Sequence, residues 1–220
     1  MRALAAGRTT ILGALTLAAL LAGPAAASDE RIYVLMPETL SAWEKKAFEG
    51  ETQYRTTFKD GRVAVEAKSK HSAPGYYRTV TVDLTKTPYL NWEWRVENVL
   101  SGPDERTIEG DDFPARVYLI ESHGLLFWKT RGIGYVWAGK LPEGADWPNP
   151  GRATTHMFSV RSGAADTGKW IKEKRDVRAD FKRAYGEDVT QVDAVAFFSD
   201  TDNTKSESTA YYGPIYFSKD

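Results

Sequence analysis

Hydrophobic and polar residues alternate along most of the chain, which is the pattern of half-buried β-strands. The most regular stretch is Leu90–Val96, in which the Leu, Trp, Trp and Val residues would share one face of a strand. Two other alternating runs meet at Asp60-Gly61, a dipeptide typical of tight hairpin turns. Strands are predicted over residues 54–58, 63–67, 77–84, 90–96, 113–119, 133–137, 156–160, 192–198 and 211–217.

Helical spacing is confined to short segments. Val177 and Phe181 would share a helix face, and Gly186 stands where a left-handed C-cap belongs, so a helix is predicted over 177–185. A shorter helical turn is predicted over 39–48. Many short strands separated by turn signals, with so few helices, indicate an all-β fold. We therefore expect an antiparallel, jelly-roll-like two-sheet β-sandwich with one or two short helices.

The N-terminal segment has the features of an export signal. Arg2 and Arg8 precede the apolar run 11–21, and small alanines follow it. The run is shorter than the ~20 apolar residues that cross a bilayer, although an uncleaved membrane anchor is the alternative. We expect residues 1–27 to be a cleaved signal peptide and residues 28–220 to be one β-sandwich domain. The mature protein would then be periplasmic or secreted, without a membrane span.

Composition removes several classes of function. The chain has no cysteine, and its three histidines lie far apart without zinc-site spacing, so a zinc site is not expected. The net charge is −1 and no basic run occurs, so nucleic acid is not an expected partner. Neither a nucleophile elbow nor a P-loop is present, and Gly132-Ile-Gly134 is typical of a bulge or turn in a strand.

Two arginines and an acidic pair form the first group of candidate site residues. Asp111 and Asp112 precede a predicted strand, and alternation places Arg116 opposite its apolar face. Arg95 lies in the same way opposite the tryptophans of its own strand. If the two strands are neighbours, these charges would form one network able to bind a carboxylate or sugar hydroxyls. The alternative is a salt-bridge lattice that fixes the strand register.

An acidic loop forms the second group. Asp200, Asp202 and Asn203 follow an apolar strand directly, and alternating oxygen ligands suit a hard cation such as Ca²⁺. The match to an EF-hand loop is poor, because the central glycine and the closing glutamate are missing. A turn stabilised by side-chain to backbone hydrogen bonds is the alternative. A structural calcium ion bound to these three residues is therefore one hypothesis.

Aromatic residues form the third group, with seven tryptophans and eleven tyrosines in the chain. Exposed aromatic faces stack on sugar rings, whereas sandwich cores also take large aromatic side chains. Trp128, Trp137 and Trp147 lie in a segment rich in glycine and proline, where a ligand platform and a core position are both expected alternatives.

An ordered set of segments carries a resemblance to a known family. The set consists of LNWEWRV (90–96), GDDFPARVY (110–118), YVW (135–137), RDVRADF (175–181), SDTDNT (199–204) and YG (212–213). Together they resemble the bacterial exported domain-of-unknown-function family 3047 over nearly all of the predicted mature chain. The resemblance implies no catalytic residue. It implies that these positions form a shared constellation, which adds Tyr135, Trp137, Arg175 and Asp180 to the candidate ligand-binding residues.

The same resemblance suggests a jelly-roll sandwich akin to galactose-binding-like domains, which often bind glycans and hold a structural Ca²⁺. The leading hypothesis is thus a non-catalytic domain that binds a glycan or another polar ligand. The first alternative is a glycan-active enzyme, with Asp111 or Asp112 as acid or base and Asp180 or Asp200 as partner. The second is an envelope structural or assembly protein.

Overall fold

The computed structural model describes residues 31–46, 50, 52–125 and 129–220. The predicted signal peptide and Trp128 lie outside the described residues. No helix in the described ranges is both long and apolar enough to cross a membrane.

Thirteen strands and one α-helix make up the regular structure of these ranges. In chain order they are β1 (Ile32–Leu35), β2 (Glu44–Lys46), β3 (Gln53–Lys59), β4 (Arg62–Lys70), β5 (Gly75–Asp83), β6 (Tyr89–Val96), β7 (Arg116–Glu121), β8 (Arg131–Ala138), β9 (Asp146–Pro148), β10 (Thr155–Ser162), β11 (Ile171–Asp176), α1 (Val177–Tyr185), β12 (Gln191–Phe198) and β13 (Glu207–Ser218). Two short 3-10 helices span Pro37–Ala42 and Ile108–Gly110.

The strands form two sheets that pack face to face, so the predicted two-sheet β-sandwich is confirmed. Sheet A has the order β11-β6-β13-β4-β3, with β1 also paired to β13. Sheet B has the order β2-β5-β12-β7-β8-β10-β9. The pairings between described strands are antiparallel except for that of β8 with β10, which is parallel. A parallel neighbour needs a long return connection, and residues 139–154, which include β9, provide it.

Large aromatic side chains fill the space between the sheets. Trp92 and Trp94 of β6 point inward with 1% and 0% exposure, as the alternation predicted. The Trp92 ring stacks on Tyr135 of β8 with 5.2 Å between centroids, and Trp94 lies 5.9 Å from Trp137. The shared face of Leu90–Val96 therefore packs directly on sheet B, and these contacts join the two layers.

The predicted hairpin and helix are both confirmed. Asp60 and Gly61 adopt positive φ angles of 49° and 78° between β3 and β4, as a primed two-residue turn requires. Helix α1 begins after Asp176, whose side chain accepts a hydrogen bond from the Ala179 N–H at 2.9 Å. It ends at Gly186, which has a left-handed φ of 72°.

The helical turn predicted over 39–48 is wrong in its second half. The 3-10 helix ends at Ala42, and Glu44–Lys46 forms the edge strand β2, paired with β5. All three residues of β2 are exposed, so no buried face marks this strand in the sequence. The pairing partner decides its structure, and the partner lies about thirty residues further along the chain.

Candidate functional site

The two candidate arginines lie in different sheets, so the expectation that they converge is wrong. Arg95 belongs to β6 and points away from the core of sheet A, where it donates to Asp60 Oδ2 at 2.7 Å and to Glu97 Oε1 at 2.9 Å. Arg116 belongs to β7 of sheet B. Alternation correctly assigned each arginine to the face opposite its apolar neighbours. The alternation of polar and apolar residues does not show which sheet a strand joins, because the sheet depends on the connection between β6 and β7.

Arg116 forms a buried cluster with Asp111 and Asp200, here called the Arg116 cluster. Its Nε donates to Asp200 Oδ1 at 2.8 Å, its second terminal nitrogen donates to Asp200 Oδ2, and Nη1 donates to Asp111 Oδ1 at 3.2 Å. The guanidinium also lies 4.6 Å from the Phe113 ring centroid and 5.1 Å from that of Phe198. Only 3% of the Arg116 side chain is exposed. The geometry is that of an internal salt-bridge lattice.

Burial and charge act in opposite directions on the titration of this cluster. Burial works to lower the pKa of Arg116, but the carboxylates of Asp200 and Asp111 outweigh it and raise that pKa. Burial raises the pKa of Asp200, and the carboxylates of Asp111 and Asp112 add to this effect against the pull of Arg116. The cluster therefore keeps its guanidinium charged in a place that water scarcely reaches.

Asp112 stabilises the acidic loop that was predicted to hold calcium. Its carboxylate accepts from the Thr204 N–H and hydroxyl, both at 2.6 Å, and from the Asn203 N–H at 3.3 Å. Oxygens of Asp112, Asp200 and Asp202 lie within 4.8 Å of one another, close enough for one cation. Asn203 itself is exposed, and its backbone donates to Asp112. The candidate ligand set is thus Asp200 and Asp202 with Asp112, a residue that the sequence had placed with the arginines.

Three of the four residues added by the resemblance form one group around Asp180, and Trp137 lies apart from them. Tyr135 donates its hydroxyl to Asp180 Oδ2 at 2.8 Å, and Arg175 donates to both oxygens of the same carboxylate. Trp137 is fully buried and donates Nε1 to the Gly163 carbonyl at 3.1 Å. This arrangement fixes α1 against β8 and β11. Because its side chain is fully buried, Trp137 is a core residue. Trp147 is also a core residue, since it is 4% exposed and packs on Phe113.

A groove of about 650 Å³ runs over the outer face of sheet B, across β5, β12 and β7. It exists because the middle strand carries small side chains where the outer strands carry large ones. Ala196 of β12 pairs with Tyr77 of β5 on one side and with Tyr118 of β7 on the other. One row further, Ala194 lies between Thr79 and Ile120. We call this depression the groove.

The width of the groove follows from strand spacing. Tyr77 and Tyr118 stand on strands two positions apart, which separates their backbones by roughly 9.5 Å. A flat ring in van der Waals contact with groups on both sides needs about 7–8 Å. The alanine between the two tyrosines therefore leaves room for a ring-shaped ligand, which a larger residue at 196 would fill.

Both tyrosines are held in place from outside the groove. The Tyr77 hydroxyl donates to Glu44 of β2. The Tyr118 hydroxyl accepts from Arg116 Nη1 at 3.3 Å and donates to Met157 Sδ at 3.1 Å. A Cβ at Gly134 would lie only 2.8 Å from the Tyr118 ring and the same distance from Met157 Sδ. Gly134 is thus neither a bulge nor a turn, because it lies inside β8 and makes room for this ring.

The Arg116 cluster lies at one end of the groove and connects to it through aromatic rings. Phe198 lies in the row of Arg116 and Gly75, its ring 5.1 Å from that of Tyr118. Arg116 touches both rings, through the Tyr118 hydroxyl and the Phe198 face. The buried salt bridge therefore positions two of the side chains that line the groove.

Sequence reasoning missed most of the groove. None of Tyr77, Tyr118 and Phe198 is among the candidate residues that the sequence predicts. The usable signal was the alternation Ala194, Ala196 on the outer face of a strand whose inner residues are large. That signal becomes meaningful only once the neighbours of the strand are known.

The fold and the groove define a class of protein, an all-β sandwich with a ligand-sized depression on one outer sheet face. The chain belongs to the family described as "Protein of unknown function (DUF3047)", whose model matches residues 41–216. The resemblance drawn from the sequence is thereby confirmed. No curated protein matches the chain significantly.

Two solved structures are similar to this chain at low sequence identity and low TM-score. The xyloglucanase domain of NopAA, a type three effector from Sinorhizobium fredii solved in complex with cellobiose, has a TM-score of 0.43 at 10% identity, covering 80% of this chain and 93% of that chain. Endoglucanase 3 of Trichoderma harzianum, from family GH12, has a TM-score of 0.41 at 8% identity, covering 81% and 98%. Likeness at this level transfers neither residues nor activity to this chain.

Proposed function

We propose that this protein is an exported, non-catalytic glycan-binding protein whose ligand lies in the groove on sheet B. The observation that carries the proposal is the pair Tyr77 and Tyr118 on either side of Ala196. Aromatic faces bind the apolar faces of sugars, and polar groups around them bind the hydroxyls. The volume of about 650 Å³ lies within the usual range for small-ligand sites.

The groove supports binding rather than hydrolysis. Glycoside hydrolysis normally uses two carboxyl groups that flank the scissile bond, about 5–9.5 Å apart. Among the described lining residues Asp193 supplies the sole carboxylate. Its oxygens accept from the Ser122 N–H at 2.7 Å and from Gln191 Nε2 at 2.5 Å. The candidate acid and base residues do not line the groove. Asp180 is bound by Tyr135 and Arg175, while Asp111 and Asp200 are bound by the buried Arg116, with Asp112 beside Asp200.

The proposal includes two features that originate in the sequence. Export would place the protein in the periplasm or outside the cell after cleavage behind Ala27. A structural Ca²⁺ at Asp112, Asp200 and Asp202 would offset the excess of carboxylates over the single Arg116 guanidinium in this region. Its role would be to stabilise the loop at 200–204.

Filling the groove tests the proposal. A glycan array followed by calorimetry identifies a ligand of the wild-type protein, and Ala196→Leu is expected to abolish its binding by occupying the space between the two tyrosines. Thr81→Leu is the matched control, because Thr81 is exposed on β5 outside the groove. It should bind like the wild type. Absence of any glycan ligand, or unchanged binding in Ala196→Leu with the melting temperature retained, would count against the proposal.

A further inference from the structure

Two positively charged side chains and one negatively charged side chain line the groove. The groove is bordered by Lys46 on β2 and by Arg152 in the loop before β10. Asp193 is the acidic counterpart among the described lining residues, and backbone and side-chain donors already occupy both of its oxygens. The whole chain, by contrast, carries a net charge of −1. The described lining residues therefore carry two positive charges and one negative charge, and Arg152 supplies the positive charge that a ligand can reach.

Arg152 differs from the other arginines of the described ranges. Ten of them form ion pairs with carboxylates: Arg55, Arg62, Arg95, Arg106, Arg116, Arg131, Arg161, Arg175, Arg178 and Arg183. Arg78 donates to the Val34 carbonyl, and Arg31 lies over the Tyr216 ring. Arg152 is exposed, and within the described part of the chain its guanidinium has no hydrogen-bond, ion-pair or ring partner. Its five N–H donors are available to a ligand.

We infer that the ligand of the groove is an acidic glycan, a chain that contains uronic acid residues, whose carboxylate binds Arg152. This inference rests on the proposed glycan-binding function and specifies its substrate class. A guanidinium matches a carboxylate with two parallel hydrogen bonds, which a neutral sugar cannot offer. The sugar ring then lies between Tyr77 and Tyr118 while its carboxylate reaches the Arg152 side of the groove. Lys46, on the side of β2, extends the positive border.

A comparison of uronate chains with neutral chains of the same size tests this inference. Calorimetry would use oligogalacturonate, oligomannuronate and oligoguluronate, a fully methyl-esterified oligogalacturonate, and cello- and xylo-oligosaccharides. We expect at least one uronate chain to bind about tenfold or more tighter than the neutral chains, which is the scale of a charge-assisted hydrogen-bond pair. The advantage should shrink between low salt and 0.5 M salt, because the guanidinium is exposed.

Variants of Arg152 identify the residue responsible. Arg152→Gln should weaken the binding of uronate chains much more than that of neutral chains, so that the preference for uronate disappears, whereas Arg152→Lys should retain part of the preference. Lys172→Gln, an exposed lysine on the outer face of sheet A, makes the same change of charge away from the groove and should have no effect. Equal binding of neutral and uronate chains, or a preference that survives in Arg152→Gln, would overturn the inference.

The two proposals fail in different ways. If neutral and uronate chains bind equally well, and Ala196→Leu abolishes the binding of both while Arg152→Gln changes neither, the groove binds glycans but the acidic class is wrong. If no glycan of either kind binds, the glycan-binding function fails together with the inference that rests on it.

Discussion

Removing one member of the Arg116 cluster should destabilise the protein strongly. In Asp200→Leu the guanidinium of Arg116 loses its two-point partner while its side chain stays 3% exposed. Leaving a buried charge without its counterion costs about 3–5 kcal/mol. Because Asp111 remains 3.2 Å from Arg116 Nη1 as a second counterion, the loss of stability should lie near the lower end of this range. For a domain of this size each kcal/mol lowers the melting temperature by about 2–4 °C, so a loss of about 3 kcal/mol should lower it by roughly 6–12 °C.

The assay is urea and thermal unfolding of a double-mutant cycle. Arg116→Met should lose a similar amount, whereas the double variant Arg116→Met/Asp200→Leu should recover most of the stability because neither charge remains. Asp188→Ala is the control, since it breaks an exposed two-point pair with Arg178 and should cost at most about 1 kcal/mol. A loss in Asp200→Leu no larger than that of the control would refute the description of a sealed salt bridge.

Three further outcomes are expected. Burial raises the pKa of Tyr54, Tyr118 and Tyr212, so the stability that their neutral hydroxyls provide is complete below pH ~10 and is lost as the pH rises through their folded-state pKa values. An ultraviolet titration should show these three tyrosines ionising only when the protein unfolds. Ionisation of all tyrosines near pH 10 with the fold intact would contradict this. Calcium should raise the melting temperature of the wild-type protein and a chelator should lower it, whereas the melting temperature of Asp202→Asn should not respond to either. Identical wild-type melting curves with calcium and with chelator would contradict a structural calcium site. Mass spectrometry of the exported protein should find Ser28 at its N-terminus, and a retained segment 1–27 would exclude cleavage.

Local pattern predicted the parts of the fold whose structure is decided locally. The alternation in Leu90–Val96 identified a strand and its buried face, and Asp60-Gly61 identified a hairpin, because each depends on neighbours in sequence. Strand β11 was missed, since its sequence IKEKRD alternates charge with charge and its residues are exposed or half-buried. The parallel pairing of β8 with β10 was missed for another reason. The direction of a strand relative to its neighbour depends on the path of the connection between them, which the pattern within each strand does not show.

The site was less predictable than the fold, because it depends on contacts across sheet pairings. Asp111 and Arg116 were correctly associated, but Asp200, which completes their cluster, lies 84 residues beyond Arg116 and had been placed with the cation ligands. Arg95 had been grouped with Arg116 on charge and alternation alone, and it lies in the other sheet. Sequence spacing indicates which side chains share a strand face. The partners across the sheet follow only from topology.

Nuclear magnetic resonance of the protein with a uniformly labelled backbone and alanine methyl groups tests the central claim most directly. Titration with the tightest oligosaccharide found by calorimetry should shift the methyl signals of Ala194 and Ala196 and the backbone signals of β5, β12 and β7 around them. The outer face of sheet A, where Arg95 lies, should not respond. Shifts confined to sheet A, or saturable binding with the Ala194 and Ala196 signals unmoved, would contradict a ligand site in the groove.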